Sequence, residues 1–72
     1  MTAKIMFEKL GFKLDEDFKD TIVWEKESFP QCTIYFYSEK EIEIVTHYAI
    51  NLNILEAINK QTEEKGWKYE NN

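Results

Sequence analysis

Two neighbouring segments with alternating apolar and polar side chains lie in the middle of the chain. Residues 33–37 are Thr-Ile-Tyr-Phe-Tyr, and residues 41–45 are Glu-Ile-Glu-Ile-Val. A period of two, with many β-branched and aromatic residues, is typical of half-buried strands. The polar residues 38–41 are the only break between the two segments, so we predict a β-hairpin that turns there.

The register of the hairpin decides which side chains share a face of the sheet. Pairing Tyr37 with Ile42 would place Glu43 on the same face as Phe36. Pairing Phe36 with Ile44 instead collects the isoleucines and phenylalanine of both strands on one apolar face. We predict the second register, because burying an unpaired carboxylate is costly.

The preferred register requires a loop with an odd number of residues, such as 39–41. Such a loop needs one residue in the left-handed backbone conformation, and this segment contains no glycine. A residue other than glycine costs on the order of 1 kcal/mol in that conformation. This cost is smaller than that of burying the carboxylate of Glu43.

Length and composition favour one small domain. The chain has 72 residues, of which 43% are hydrophobic and 15% aromatic, so we predict a single folded domain over 1–72, with a loose tail at 70–72. A homodimer would add to the small core that so short a chain can form. One cysteine permits no internal disulfide, and neither a signal peptide nor a membrane span is evident. We therefore predict a cytoplasmic protein that does not enter a membrane.

The charge balance disfavours direct binding of DNA or RNA. The formal net charge is −5, and all nine basic residues are lysines. Nucleic-acid-binding proteins usually present a basic face and use arginine for bidentate contacts. An acidic surface instead favours basic partners or serves solubility.

Two helices are predicted, one near each end of the chain. The first extends over 3–10, is capped by Thr2 and ends at Gly11. The second begins after Asn53 as N-cap, with Glu56 completing a capping box, and ends at Gly66. Leu52 and Ala57 would form its hydrophobic staple, and its apolar stripe contains Ile54, Leu55 and Ile58.

A further strand is predicted at 21–28, followed by a turn at 29–31. Ile22 and Trp24 would face one way, and Val23 and Glu25 the other. Trp24 is expected in the core, where its N–H needs a hydrogen-bond partner. The fold is therefore predicted to be α+β: a three-stranded antiparallel meander flanked by the two helices, in the order α-β-β-β-α.

The acidic segment 15–20 has part of the spacing of a calcium-binding loop. Asp15, Asp17 and Asp20 follow the pattern Asp-x-Asp-x-x-Asp. However, Asp20 stands where that loop requires glycine, and Lys26 replaces its closing glutamate. We therefore predict a solvated acidic turn that binds no metal.

Several segments resemble known proteins. They are Phe-Glu-Lys-Leu-Gly-Phe at 7–12, Thr-Ile-Val-Trp at 21–24, the tyrosine-rich hairpin, and the stretch from Ile-Asn-Lys-Gln at 58–61 to Gly-Trp at 66–67. Together they resemble small uncharacterised proteins carried by phages and prophages of low-GC Gram-positive bacteria. The resemblance implies an accessory role for a phage inside the host cell. It implies no activity and no functional residue.

Residues for catalysis are scarce. His47 is the only histidine and Cys32 the only cysteine. They would face each other only in the disfavoured register, and no third group is evident to orient a Cys–His pair. We predict that the chain is not an enzyme and has no catalytic, cofactor or metal site, with Cys32 in the core and His47 on the surface.

The second face of the sheet is the predicted interaction site. It would carry tyrosines beside carboxylates, and tyrosine combines apolar area with a polar tip that suits protein recognition. The residues predicted to bind a protein partner are Tyr35, Tyr37, Glu43, Val45 and His47, and Val23, Glu25 and Thr33 would share their face. This face is open if both helices cover the other one. The alternatives are one helix on each face, or a merely solvated face.

A second hypothesis is that the chain mimics a nucleic acid and inhibits a host defence nuclease. A mimic needs carboxylates in rows at phosphate-like spacing, and its binding depends strongly on salt. The acidic residues available for it are Asp15, Glu16, Asp17, Glu25, Glu27, Glu39, Glu41 and Glu43.

Overall fold

Two helices and four strands form in the parts of the chain that the computed structural model describes, residues 1–16 and 19–67. In chain order they are α1 (Ala3–Lys9), β1 (Lys13–Asp15), β2 (Ile22–Lys26), β3 (Cys32–Phe36), β4 (Ile42–Thr46) and α2 (Leu52–Glu64). All strand pairs are antiparallel, and the sheet order is β1-β2-β3-β4. The predicted α+β class is confirmed, whereas the predicted number of three strands is wrong.

The additional strand is β1, a short segment directly after α1. Its three residues pair with β2, with Lys13 opposite Glu25 and Asp15 opposite Val23. A segment of three residues is too short to show the alternation of apolar and polar side chains that identifies a strand in a sequence. It is a strand because its backbone forms hydrogen bonds with β2. The predicted acidic turn begins inside β1 at Asp15, and its residues 17 and 18 lie outside the described residues. The predicted tail at 70–72 also lies outside them.

The β3–β4 hairpin has the predicted faces with a shifted register. Phe36 lies opposite Ile42, and Ile34 lies opposite Ile44. The predicted pairing of Phe36 with Ile44 is therefore wrong by two residues. A shift of two preserves the alternation of the faces, so the four apolar side chains still share one side of the sheet.

The hairpin loop explains the shift. It consists of residues 38–40, one position earlier than predicted, and Lys40 has a φ angle of 65°. The Tyr37 N–H donates to the carbonyl of Glu41 at 2.8 Å, and the Lys40 N–H donates to the carbonyl of Tyr37 at 3.1 Å. The predicted odd loop with a left-handed residue other than glycine is thus present, and Lys40 is that residue.

Both helices end in the same hydrogen-bonded motif. Gly11 and Gly66 follow the last helical turns with φ angles of 94° and 75°, a conformation that glycine adopts without a steric penalty. The residue after each glycine donates its N–H at 3.0 Å to the carbonyl five positions earlier, Phe12 to Phe7 and Trp67 to Thr62. The predicted helix ends are therefore confirmed, and their bonds satisfy carbonyls that a helix end otherwise leaves free.

The helix starts follow the prediction in α1 and depart from it in α2. The Thr2 side chain accepts from the N–H of Ile5, as expected of an N-cap. In α2 the N-cap is Asn51, whose Oδ1 accepts from the N–H of Ile54 at 2.9 Å. Asn53 as the cap is therefore wrong, because Asn51 provides the same side chain two residues earlier and starts a longer helix.

The apolar stripe of α2 also differs from the prediction. Its buried residues are Ile54, Ala57, Ile58 and Gln61. Leu55 is exposed and Leu52 is 81% exposed, so Leu55 does not belong to the stripe and Leu52 cannot serve as a buried staple. The four buried positions have the helical spacing that places them on one side, facing the sheet.

Aromatic rings from α1 and the sheet form the centre of the core. Phe7 of α1 is fully buried and stacks on Trp24 at a centroid distance of 4.9 Å. Its ring also meets Phe12 and Phe36 edge to face, at 5.3 and 6.3 Å. Trp24 Nε1 donates to Oε1 of the buried Gln61 of α2 at 2.9 Å. This bond supplies the partner that a core tryptophan needs.

Candidate protein-interaction surface

Both helices pack on the same face of the sheet. The core cluster contains Ala3 and Phe7 of α1, Ile58 of α2, and Trp24 and Ile34 from the inner strands. No helix of the described residues lies on the opposite face. The arrangement with one helix on each face, which the sequence left open, is therefore not the one adopted.

The opposite face consists of cross-strand rows that the register defines. One row runs across all four strands through Asp15, Val23, Tyr35 and Glu43. The next row contains Lys13, Glu25, Thr33 and Val45. The strand residues that the sequence assigned to this face therefore do share it.

Exposure divides this face into two halves. On the β1–β2 half, Val23 is only 1% exposed, Glu25 is partly exposed and Lys13 is exposed. On the β3–β4 half, Glu43 is exposed and Val45 is 50% exposed, while Tyr35 is partly exposed. The exposed apolar area of this face therefore lies on β3 and β4, since Val45 is exposed and Val23 is not.

The two tyrosines of this half form an ordered pair. The rings of Tyr35 and Tyr37 lie parallel, with an interplanar angle of 3° and centroids 5.8 Å apart. The Tyr37 hydroxyl donates to Oε1 of Glu43 at 2.5 Å. We call Tyr35, Tyr37, Glu43 and Val45 the tyrosine surface. Its aromatic side chains are held in position by this stacking and this hydrogen bond.

The same hydrogen bond controls the ionisation of Tyr37. The pKa of Tyr37 is raised to about 12, first by this hydrogen bond, then by desolvation and by the negative charges of Glu43 and Glu41. The phenol of Tyr37 therefore remains a neutral hydrogen-bond donor over the whole physiological pH range.

His47 lies apart from the tyrosine surface. It is exposed and follows the last residue of β4 in a bend. Four of the five predicted binding residues therefore lie together on the β3–β4 half of this face, and the fifth, His47, follows the end of β4.

Cys32 lies in the core. It faces Thr46, not His47, across the β3–β4 pair, and its side chain belongs to the core cluster. Burial raises the pKa of the Cys32 thiol, and the charge of Lys26 opposes this effect only in part. A buried thiol with a raised pKa is a poor nucleophile.

An acidic hollow of about 540 Å³ lies beside β1 and β2, at the edge of the sheet opposite the tyrosine surface. Its carboxylates belong to Asp15, Glu16, Glu25 and Glu27. Within residues 1–16 and 19–67, no group of three or more His, Cys, Asp or Glu side chains has an arrangement that could hold a metal ion. Asp17 of the calcium-like pattern lies outside these ranges.

The sequence did not indicate how exposed the apolar side chains of the last strand, β4, would be. Ile42 and Ile44 lie on the helix-covered side of the sheet, yet each is 39% exposed. Their alternation is the usual signal of a half-buried strand. Alternation gives no information on how far helices and neighbouring strands cover an apolar face, so no sequence signal indicated this exposure.

Comparison with protein-family models, curated proteins and solved structures found no match to the chain. The resemblance to phage proteins therefore stays a prediction. Neither helix of the described residues combines the length and the apolar character needed to cross a membrane.

Replacing Glu43 with glutamine is expected to lower the pKa of Tyr37 from about 12 toward the ordinary tyrosine value. The neutral phenol is favoured in the folded state, so this bond stabilises the fold below about pH 10. The contribution is lost as the pH rises from there through the Tyr37 pKa. ¹³C NMR of the tyrosine Cζ atoms would follow the titration.

The control for this titration is Glu41→Gln, which removes a neighbouring charge without removing the hydrogen-bond acceptor. We expect a smaller pKa change at Tyr37 in this variant. Equal shifts in both variants would contradict the role assigned to the bond between Tyr37 and Glu43.

Proposed function

We propose that this chain is a small, non-catalytic protein-binding module that docks on a protein partner through its tyrosine surface. Docking would inhibit or redirect the partner, in keeping with the phage accessory role that the resemblance implies. The observation that carries the proposal is the asymmetry of the sheet. Both helices cover one face, and the other presents an ordered tyrosine pair.

The composition of the tyrosine surface supports protein recognition. Tyrosine offers a large contact area with only two side-chain torsions, so little conformational entropy is lost on binding. The stacking of Tyr35 on Tyr37 and the bond from Tyr37 to Glu43 restrict these torsions before any partner arrives. Preorganisation of this kind improves affinity by reducing the cost of ordering.

The distribution of charge favours docking over mimicry of a nucleic acid. The carboxylates of the acidic hollow gather at the β1–β2 edge. In the row across the sheet, Asp15 of that group and Glu43 stand at opposite ends, with Val23 and Tyr35 between them. Three strand spacings separate them by roughly 14 Å. A mimic needs a continuous series of negative charges, whereas an apolar and aromatic centre with charges at its margin is typical of a protein interface.

An affinity capture experiment tests the proposal. The tagged chain would be compared with a Tyr35→Ala/Tyr37→Ala variant in lysate of a low-GC Gram-positive bacterium, at low and high salt, with identification by mass spectrometry. The matched control is Leu52→Ala/Leu55→Ala, which removes two exposed apolar side chains from α2. Thermal unfolding by circular dichroism would establish that each variant is folded.

Docking through the tyrosine surface predicts a partner that the tyrosine variant loses and the helix variant keeps, with little dependence on salt. A partner that salt removes and the tyrosine changes do not would instead favour the nucleic-acid mimic. Capture that is the same in all three proteins would contradict a role for the tyrosine surface. Recovery of the chain alone would contradict docking on a different protein.

A further inference from the structure

The two edges of the sheet differ in how well they are protected. Natural proteins keep sheet edges from pairing by shortening them, by placing charges on them or by covering them. β1 has three residues, of which Lys13 and Asp15 are charged. β4 has five residues with a single charged side chain, Glu43, and its apolar residues Ile42, Ile44 and Val45 remain 39%, 39% and 50% exposed. β4 is therefore the edge that is open to another strand.

The hydrogen bonds of the hairpin determine which backbone groups of β4 point away from the sheet. The bond from the Tyr37 N–H to the Glu41 carbonyl shows that the backbone N–H and C=O groups of Glu41 point toward β3. The direction of the backbone groups alternates from residue to residue along an antiparallel strand, so the N–H and C=O groups of Glu43 and Val45 also point toward β3. The outward N–H and C=O groups belong to Ile42, Ile44 and Thr46.

We propose that β4 pairs antiparallel with β4 of a second copy of this chain, around a two-fold axis at Ile44. Ile44 then lies opposite Ile44 of the other copy, and Ile42 lies opposite Thr46. All the outward donors and acceptors of both strands find partners in this register. A two-fold interface uses the same patch on both copies, and this pattern of outward groups is symmetric about Ile44.

The side chains are compatible with the same register. On the helix-covered side the two Ile44 side chains meet and reduce their exposure. On the side of the tyrosine surface, Glu43 lies opposite Val45 of the other copy. Beyond the strand ends, Glu41 lies opposite His47 of the other copy. No two like charges oppose each other at these positions.

A shift to a two-fold axis at Glu43 is disfavoured. It would bring the two Glu43 carboxylates directly opposite each other, and like charges in that position destabilise a strand pair. It would also leave the outward groups of Thr46 without a partner in the opposite β4.

The dimer would contain a continuous eight-stranded sheet. Because a two-fold axis in an antiparallel pair is perpendicular to the sheet, all four helices lie on one side. The two tyrosine surfaces then lie on the other side, next to the new β4–β4 junction. This inference does not rest on the proposed docking function.

Sedimentation equilibrium of the purified chain tests the pairing. The wild type should approach twice its 8.7 kDa mass as its concentration rises, and Ile44→Lys should sediment as a monomer. The matched control is Leu52→Lys, which places the same charge on a residue that is 81% exposed and distant from the edge. It should dimerise like the wild type. Circular dichroism would show whether each variant is folded.

A second variant keeps the test valid if Ile44→Lys does not fold. A synthetic chain with an N-methyl group on Ile44 keeps the side chain and every bond to β3, and loses only the outward N–H. It should be folded and monomeric. In the wild type, hydrogen exchange at the Ile42, Ile44 and Thr46 amides should slow as the concentration rises.

Three results would overturn the inference. One is a wild type that remains monomeric up to its solubility limit. Another is a dimer that both the lysine and the N-methyl variants retain. The third is slow exchange of the β4 amides only after a different protein is added, which would assign the edge to that protein. The Tyr35→Ala/Tyr37→Ala variant should still dimerise, so failure of the docking proposal and failure of this one are distinguishable.

Discussion

Replacing Phe7 with alanine is expected to lower the free energy of unfolding by about 3–5 kcal/mol. Phe7 is fully buried and its ring contacts those of Phe12, Trp24 and Phe36. A chain of 72 residues has a total stability of only about 4–11 kcal/mol at typical values per residue. Phe7→Ala therefore removes a large part of the stability, and it unfolds the chain if the wild type lies at the lower end of this range. Urea denaturation followed by circular dichroism would measure the loss.

The control for Phe7→Ala is Ile5→Ala in the same helix. Ile5 is 43% exposed, so its truncation should cost less than about 1 kcal/mol. A Phe7→Ala protein as stable as the Ile5→Ala protein would show that the ring cluster is not the centre of the core.

Replacing Gln61 with methionine is expected to cost about 1–3 kcal/mol, although the new side chain is apolar and similar in size. The reason is the bond from Trp24 Nε1 to Gln61 Oε1, since its loss leaves a buried N–H without a partner. Thermal and urea unfolding would give the change in stability.

A double-mutant cycle isolates the bond between Trp24 and Gln61. In a Trp24→Phe background the indole N–H is absent, so Gln61→Met should cost much less there than in the wild type. The same cost in both backgrounds would mean that Gln61 contributes through packing and not through its hydrogen bond.

Local chemistry in the sequence was sufficient to predict the helix ends. Gly11 and Gly66 each occur where an apolar stripe ends and an aromatic residue follows, and both adopt the left-handed conformation expected there. The faces of the hairpin were equally predictable. An odd loop puts all four large apolar side chains on one side, and that requirement holds whether the loop is 38–40 or 39–41.

Competition between similar local choices explains two of the errors. Asn51 and Asn53 can both cap a helix, and the local signals that favoured Asn53 did not identify the residue that caps α2. The pairing of Phe36 with Ile42 or with Ile44 places the same residues in the core. The choice between these pairings depends on which residue takes the left-handed conformation, and in the folded chain that residue is Lys40.

The sequence by itself determined the α+β class, the C-terminal ends of both helices, and the assignment of the side chains of β2, β3 and β4 to the two faces of the sheet. Tertiary structure decided that β1 is a strand, that both helices occupy one face, and that the apolar side chains of the edge strand β4 stay exposed. The reason is that periodicity and capping act over a few neighbouring residues. A short strand or a free sheet edge exists only in relation to segments distant in the chain, such as β2 beside β1 and α2 above Trp24.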